Sequence, residues 1–134
     1  MKEKFYFSTG TIDYRPDGWI ILKVSPSIVN YYKFWIEKFI GKKISTSYHT
    51  PHVTILPAKH NGDFTKHPLW NKYQGKRVEF KYFSDILTDH DWFFMGTYYW
   101  LRVECPFIGI LREELGLPPK LKWPAHVTVG YRGY

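Results

Sequence analysis

The sequence predicts an α+β fold in which a strand–helix–strand unit is used twice around a central cleft. Three observations lead there. Alternating stretches mark strands, and two apolar stripes at helical spacing mark helices. A tripeptide, His-Val-Thr, recurs at 52–54 and 126–128, at the same place in each unit. The expected architecture is bilobal: two antiparallel sheets, each with a helix, related by a pseudo-two-fold repeat.

Taken in order, Lys4 to Thr11 alternates, with Phe5, Phe7 and Thr9 on one face and Tyr6, Ser8 and Gly10 on the other. Tyr14-Arg15-Pro16-Asp17-Gly18 has the residues of a turn. Trp19 to Val24 is the next strand. Pro26-Ser27 opens a helix whose buried stripe is Ile28, Tyr32, Trp35, Ile36 and Phe39, and Gly41 ends it. Lys33, Lys38, Lys42 and Lys43 then form a solvated face. Pro57 to Gly75 shows no clean period and reads as a loop, or as a loop with a short helix. Arg77 to Ile86 is a strand, Asp89-His90-Asp91 a turn, and Trp92 to Glu104 a long strand with a break at Gly96-Thr97. Pro106 opens a second helix with the stripe Phe107, Leu111 and Leu115, ended by Gly116 and Pro118. Trp123-Pro124-Ala125 leads into the second His-Val-Thr.

At 134 residues this is one domain, 1–134. Aromatic content is 20%, more than so small a core can hide, so some rings line a binding surface. The formal charge of +7 favours a polyanionic partner. The only cysteine, Cys105, excludes an internal disulfide and a cysteine-based zinc site, and its strand-end position fits a buried small hydrophobe. A reducing cytoplasm fits. Neither a signal-peptide run nor a transmembrane-length stretch is evident.

The chemistry lies in the doubled tripeptide. In a strand, His52 and Thr54 point the same way, about 6.5–7 Å apart, while Val53 faces the core. His126 and Thr128 repeat the arrangement. Two such strands side by side present two imidazoles and two hydroxyls. Cleaving an RNA-type phosphodiester needs a base for the attacking hydroxyl and an acid for the leaving oxygen. Imidazole serves both, with an unperturbed pKa of about 6.5. Threonine hydroxyls can donate to phosphate oxygens as charge grows on them. The carboxylate clusters of two-metal nucleases are not evident, and His49 with His52, three apart on a strand, makes a poor metal pair. His60, His67 and His90 read as exposed loop histidines. Tyr14, Trp70 and Trp123 are candidate nucleobase-stacking residues. Arg15, Arg102 and Arg132 are candidate phosphate partners.

On His52, Thr54, His126 and Thr128 the chain resembles the two-histidine (2H) phosphoesterase superfamily. Its members carry two His-x-Thr/Ser motifs on paired strands of a bilobal α+β fold. The likeness spans essentially the whole chain. Ser8-Thr9-Gly10-Thr11, the run from Trp19 through Tyr31-Tyr32-Lys33-Phe34-Trp35, and Leu111 to Gly130 most resemble the phage anti-CBASS nucleases, which destroy cyclic oligonucleotide messengers of bacterial immunity. The resemblance implies a cofactor-free, metal-independent phosphodiesterase acting on a cyclic di- or trinucleotide in a host cytoplasm. It also implies His52 as base, His126 as acid and Tyr14 on the ligand. Two alternatives stay open: an RNA-processing enzyme of the same superfamily, with linear RNA as partner, and a nucleotide-binding module without turnover. No membrane and no metal are expected as partners.

Overall fold

The computed structural model describes residues 4–46, 50–57, 63–91 and 96–133. The elements run β1 (Phe5–Tyr14), β2 (Ile20–Lys23), α1 (Pro26–Ile40), β3 (His52–Leu56), β4 (Arg77–Phe83), β5 (Leu87–Asp91), β6 (Gly96–Glu104), α2 (Pro106–Glu114) and β7 (His126–Gly133). A short 3-10 turn spans Phe64–Lys66.

The class is α+β, with two α-helices and antiparallel strand pairs among the described residues. The expectation of two separate sheets is corrected: the strands form one seven-stranded sheet in the order β3-β2-β1-β4-β6-β5, with β7 also paired to β6. The join is short. β4 pairs with the end of β6 through Lys81 and Glu104, and Tyr82 and Val103. β3 and β7 approach within 8 Å at the other side, so the sheet nearly closes on itself. Among the described residues no helix is long and apolar enough to cross a membrane.

Asp89-His90-Asp91 is strand rather than turn, paired with Tyr98, Thr97 and Gly96. Leu87 to His90 are all exposed, so β5 has no buried face to print a period into the sequence. Tyr14 likewise belongs to β1, and the turn begins at Arg15, whose N–H donates to the Trp19 carbonyl at 2.7 Å. The long strand begins at Gly96; the expectation for 92–95 lies outside the described residues.

Ser25 caps α1, accepting from the Ser27 N–H, and Gly41 ends it in the left-handed region at φ 71°. The buried face is Ile28, Val29, Tyr32 and Ile36. Trp35 and Phe39, expected in that stripe, are 46% and 91% exposed. The helix carries more apolar residues than one sheet contact can cover, and Val29 takes the place beside Ile28. In α2 the buried side chains are Ile108, Leu111 and Arg112. Cys105 is buried at the strand end, as expected, and burial raises its thiol pKa.

Each helix lies against the histidine strand of the other half, α1 against β7 and α2 against β3. After α1, Ser45 bridges to Tyr131 of β7 through two backbone hydrogen bonds of 2.8 Å. The contact needs a glycine. A Cβ on Gly130 would sit 2.6 Å from the Ser45 carbonyl oxygen. On the other side, Arg112 of α2 donates from Nη1 to the Ile55 carbonyl at 2.9 Å and from Nε to the Pro118 carbonyl at 2.8 Å. Ile55 directly follows Thr54, so this buried guanidinium fixes β3 beside its motif. Arg112→Met should therefore cost about 1–3 kcal/mol, the price of a buried carbonyl left unsatisfied, read as a lower denaturant midpoint at unchanged slope.

Candidate active site

Strand pairing places both motifs on one face. Directly paired residues in antiparallel strands share a face, as do residues two apart along a strand. His52 pairs with Lys23, and Lys23 with Thr11. Along β1, Thr11, Thr9 and Phe7 share that face. Phe7 pairs with Lys81, and Lys81 with Glu104. Along β6, Glu104 and Arg102 share the face, and Arg102 pairs with His126. The register shifts lie at Ile20/Ile21 and Tyr99/Trp100, outside this path.

The opposite face holds Ile12, Leu22, Val53, Ile55, Phe80, Leu101, Val127 and Val129, in one core with Ile28, Ile36 and Leu111 of the helices. Helices cannot fit inside the near-ring of six strands that runs from β3 to β7, so this apolar face is the outer one. The histidines line the inner, concave face. Val53 and Val127 are 0% and 1% exposed, while His52, Thr54, His126 and Thr128 are half-buried.

The two halves orient their imidazoles in the same way. His52 Nδ1 lies 2.7 Å from the Thr50 carbonyl, and His126 Nδ1 lies 2.8 Å from the Pro124 carbonyl. A carbonyl only accepts, so each Nδ1 carries the proton and donates two residues back. Nε2 is then the ring nitrogen for chemistry, an acceptor in the neutral ring and a donor in the charged one. A tryptophan flanks each ring. Trp19 meets His52 edge-on at 4.8 Å, and Trp100 meets His126 at 5.4 Å. Trp19 Nε1 also donates to Thr54 Oγ1 at 3.4 Å, whereas Trp100 Nε1 is buried with no partner among the described residues.

A cation stands across from each histidine, Lys23 from His52 and Arg102 from His126. Arg102 also stacks over Phe83 at 4.0 Å, and Lys23 lies 3.7 Å from Asp13. Arg102 was legible in the sequence and Lys23 was missed. Aligning the two units on histidine rather than on Trp19 and Trp100 makes Lys23 the counterpart of Arg102. Arg15 reaches the same side, over the Trp19 ring at 5.7 Å and paired with Asp13 at 3.4 Å. Arg132 pairs with Thr97, on the outward-facing side of β6 with buried Tyr99.

The aromatic candidates separate. Tyr14 is corrected: it is 6% exposed, on the core face, edge-on to Trp70 at 5.0 Å. Its place at a strand end, in phase with Ile12, turns the ring away from the histidines. Trp70 packs with it against the core, so neither is offered to a ligand on the concave face. Trp123, three residues before His126, is 69% exposed, with Lys122 over its ring at 5.7 Å. The rings missed in the sequence are Phe5 and Phe7, 46% and 61% exposed on the histidine face. The alternation of β1 contained that signal.

Of the other histidines, His49 and His60 lie outside the described residues. His67 Nδ1 accepts from the Leu69 N–H at 3.1 Å, and His90 is in β5, not a loop. Among the described residues no three His, Cys, Asp or Glu side chains cluster as metal ligands. No family model, no curated protein and no solved structure matches the chain.

Burial pushes the phenols of Tyr14 and Tyr32 up to about 12. A raised folded-state pKa contributes stability that is complete below the unfolded value of about 10 and is lost as pH rises through the folded value. Stability should therefore fall between about pH 10 and 12. Tyr14→Phe should flatten that fall in denaturant titrations at stepped pH; an unchanged slope would place the ionisation elsewhere.

Proposed function

We propose that the chain is a metal-independent phosphodiesterase of the 2H phosphoesterase type, cleaving 3′-5′ linkages in cyclic oligonucleotides. The observation that carries the reading is the matched pair of imidazoles on one concave face. Each holds its Nδ1 proton on a backbone carbonyl, and each has a threonine hydroxyl two residues on. The bilobal description belongs to the same proposal. What supports it is that β4 and β6 are joined by a ladder of only two residue pairs, while β3 and β7 come close on the other side.

In the proposed reaction His52 Nε2 takes the proton of a substrate 2′-hydroxyl, whose oxygen attacks the adjacent phosphorus. The bond from phosphorus to the 5′-oxygen breaks, and protonated His126 gives that oxygen its proton. The products are a 2′,3′-cyclic phosphate and a free 5′-hydroxyl. Thr54 and Thr128 donate to the non-bridging oxygens as charge builds. Lys23 and Arg102, one on each side, neutralise flanking phosphates. With the two imidazoles exchanging roles, water can then open the cyclic phosphate.

A cyclic substrate is favoured because a compact concave face on so small a sheet suits a ring a few nucleotides around. Cyclic oligonucleotides serve as messengers in bacterial immunity, so a phage counter-defence role follows from the same reading. A panel of cyclic di- and trinucleotides, linear RNA and 2′,3′-cyclic nucleotides, with products weighed by mass spectrometry, tests it. His52→Ala and His126→Ala should each lose about 10²–10⁴-fold in rate while keeping the fold. Thr54→Ala and Thr128→Ala should lose less, and exhaustive chelation should change nothing. A folded histidine variant with normal turnover would sink the mechanism. Preference for linear RNA would move the function to RNA processing.

A further inference from the structure

The concave face carries an aromatic shelf that the proposed chemistry does not use. Phe5, Phe7 and Phe83 share the histidine face; Phe7 is on the path of strand pairs from His52 to His126, and Phe5 and Phe83 are the next pair on that face. Phe5 meets Phe7 at 5.7 Å with the planes at 89°, and Phe83 at 6.1 Å. The Lys81 ammonium sits over Phe5 at 4.5 Å, and Arg102 covers Phe83. Phe7 is left as the ring offered to the cleft, 61% exposed.

Beside it is a recess of about 280 Å³ lined by Phe7, Glu79, Phe80, Lys81, Glu104 and Pro106. Its volume lies just below the roughly 300–1,000 Å³ of sites for drug-sized ligands, which suits one planar heterocycle. Glu104 is engaged by Lys81 at 3.1 Å. Glu79 is in phase with Lys81 on β4, and its carboxylate has no partner among the described residues. The recess therefore offers one ring face and one acceptor-only group.

We infer that Phe7 and Glu79 form a nucleobase subsite selective for guanine; this rests on the reading of the concave face as a nucleotide site. Guanine presents two adjacent donors, N1–H and the N2 amino group, and one carboxylate can accept both. Adenine sets its N1 lone pair against the same carboxylate. Cytosine and uracil each offer a single donor beside an acceptor. Phe7 stacks on any base; Glu79 distinguishes among them. From Phe7 the path runs through Lys81, Glu104 and Arg102 to His126, so a base held here belongs to a nucleotide whose phosphate reaches Arg102.

Calorimetry with 2′-deoxy linear dinucleotides, two guanines against two adenines, tests this without requiring cleavage. The wild-type chain should favour the guanine ligand by roughly 5- to 150-fold, the value of one good bidentate contact. Phe7→Ala should weaken both ligands by a similar factor, through lost stacking. Glu79→Gln should abolish the preference and leave adenine binding intact. Both side chains are exposed, and circular dichroism checks the fold. Equal affinity for the two ligands, no binding at all, or unaltered binding in both variants would overturn the subsite. Cleavage of ribo-cyclic substrates is scored separately. Turnover without guanine preference removes the subsite and leaves the phosphodiesterase. Guanine-selective binding without turnover on any substrate removes the phosphodiesterase and leaves the subsite.

Discussion

An unbroken path of strand pairs joins His52 to His126, and the site depends on it. Side chains alternate along a strand, so slipping any one pairing by a residue would turn a motif into the core and expose its valine. The path crosses β3, β2, β1, β4, β6 and β7 without a shift, and both irregularities lie beyond it. Burial enforces the phase. Val53 and Val127 are in the core with Leu22 and Leu101, their cross-strand partners. The cross-bracing adds a second restraint, because Arg112 of the second half holds β3 and Ser45 of the first half holds β7.

The imidazoles inherit their direction from the backbone. Each ring donates to a carbonyl two residues earlier, so ring placement follows once the strand start is fixed. Pro51 and Pro124, just upstream, limit the backbone freedom of these entry segments. The halves differ in their surroundings. Lys23 faces His52 as a flexible point charge, whereas Arg102 presents a planar fork beside His126, anchored on Phe83. Trp19 shares its indole proton with Thr54, and the buried Trp100 donor has no partner among the described residues. Two motifs of identical sequence thus sit in unequal electrostatic settings, as different roles in the proposed acid–base pair require.

Much of this was legible in the chain. The His-Val-Thr repeat, the caps at Pro26, Gly41 and Pro106, and the alternation of β1 are local signals, and local signals survive in sequence. What failed were properties set by tertiary contact. The exposure of Trp35 and Phe39 depends on how wide a face the sheet covers. β5 was unreadable because an exposed edge strand needs no apolar period. Tyr14 went astray because turn chemistry was read one residue early, and a one-residue change at a strand end decides which face a ring takes. The cation opposite each histidine needed the register, which no single stretch contains.

Internal attack by the 2′-hydroxyl is the step on which the proposed two-histidine chemistry turns. The most direct measurement compares a 3′,3′-linked cyclic dinucleotide with the same ring lacking the 2′-hydroxyl at the cleaved linkage, following products by mass. Charge, bases and shape are nearly unchanged, so binding to the cationic, aromatic face should persist. The ribo ring should open through a 2′,3′-cyclic phosphate, and the deoxy ring should bind and stay intact. Opening of the deoxy ring at the ribo rate would contradict internal attack and require water, or a protein group, as the nucleophile.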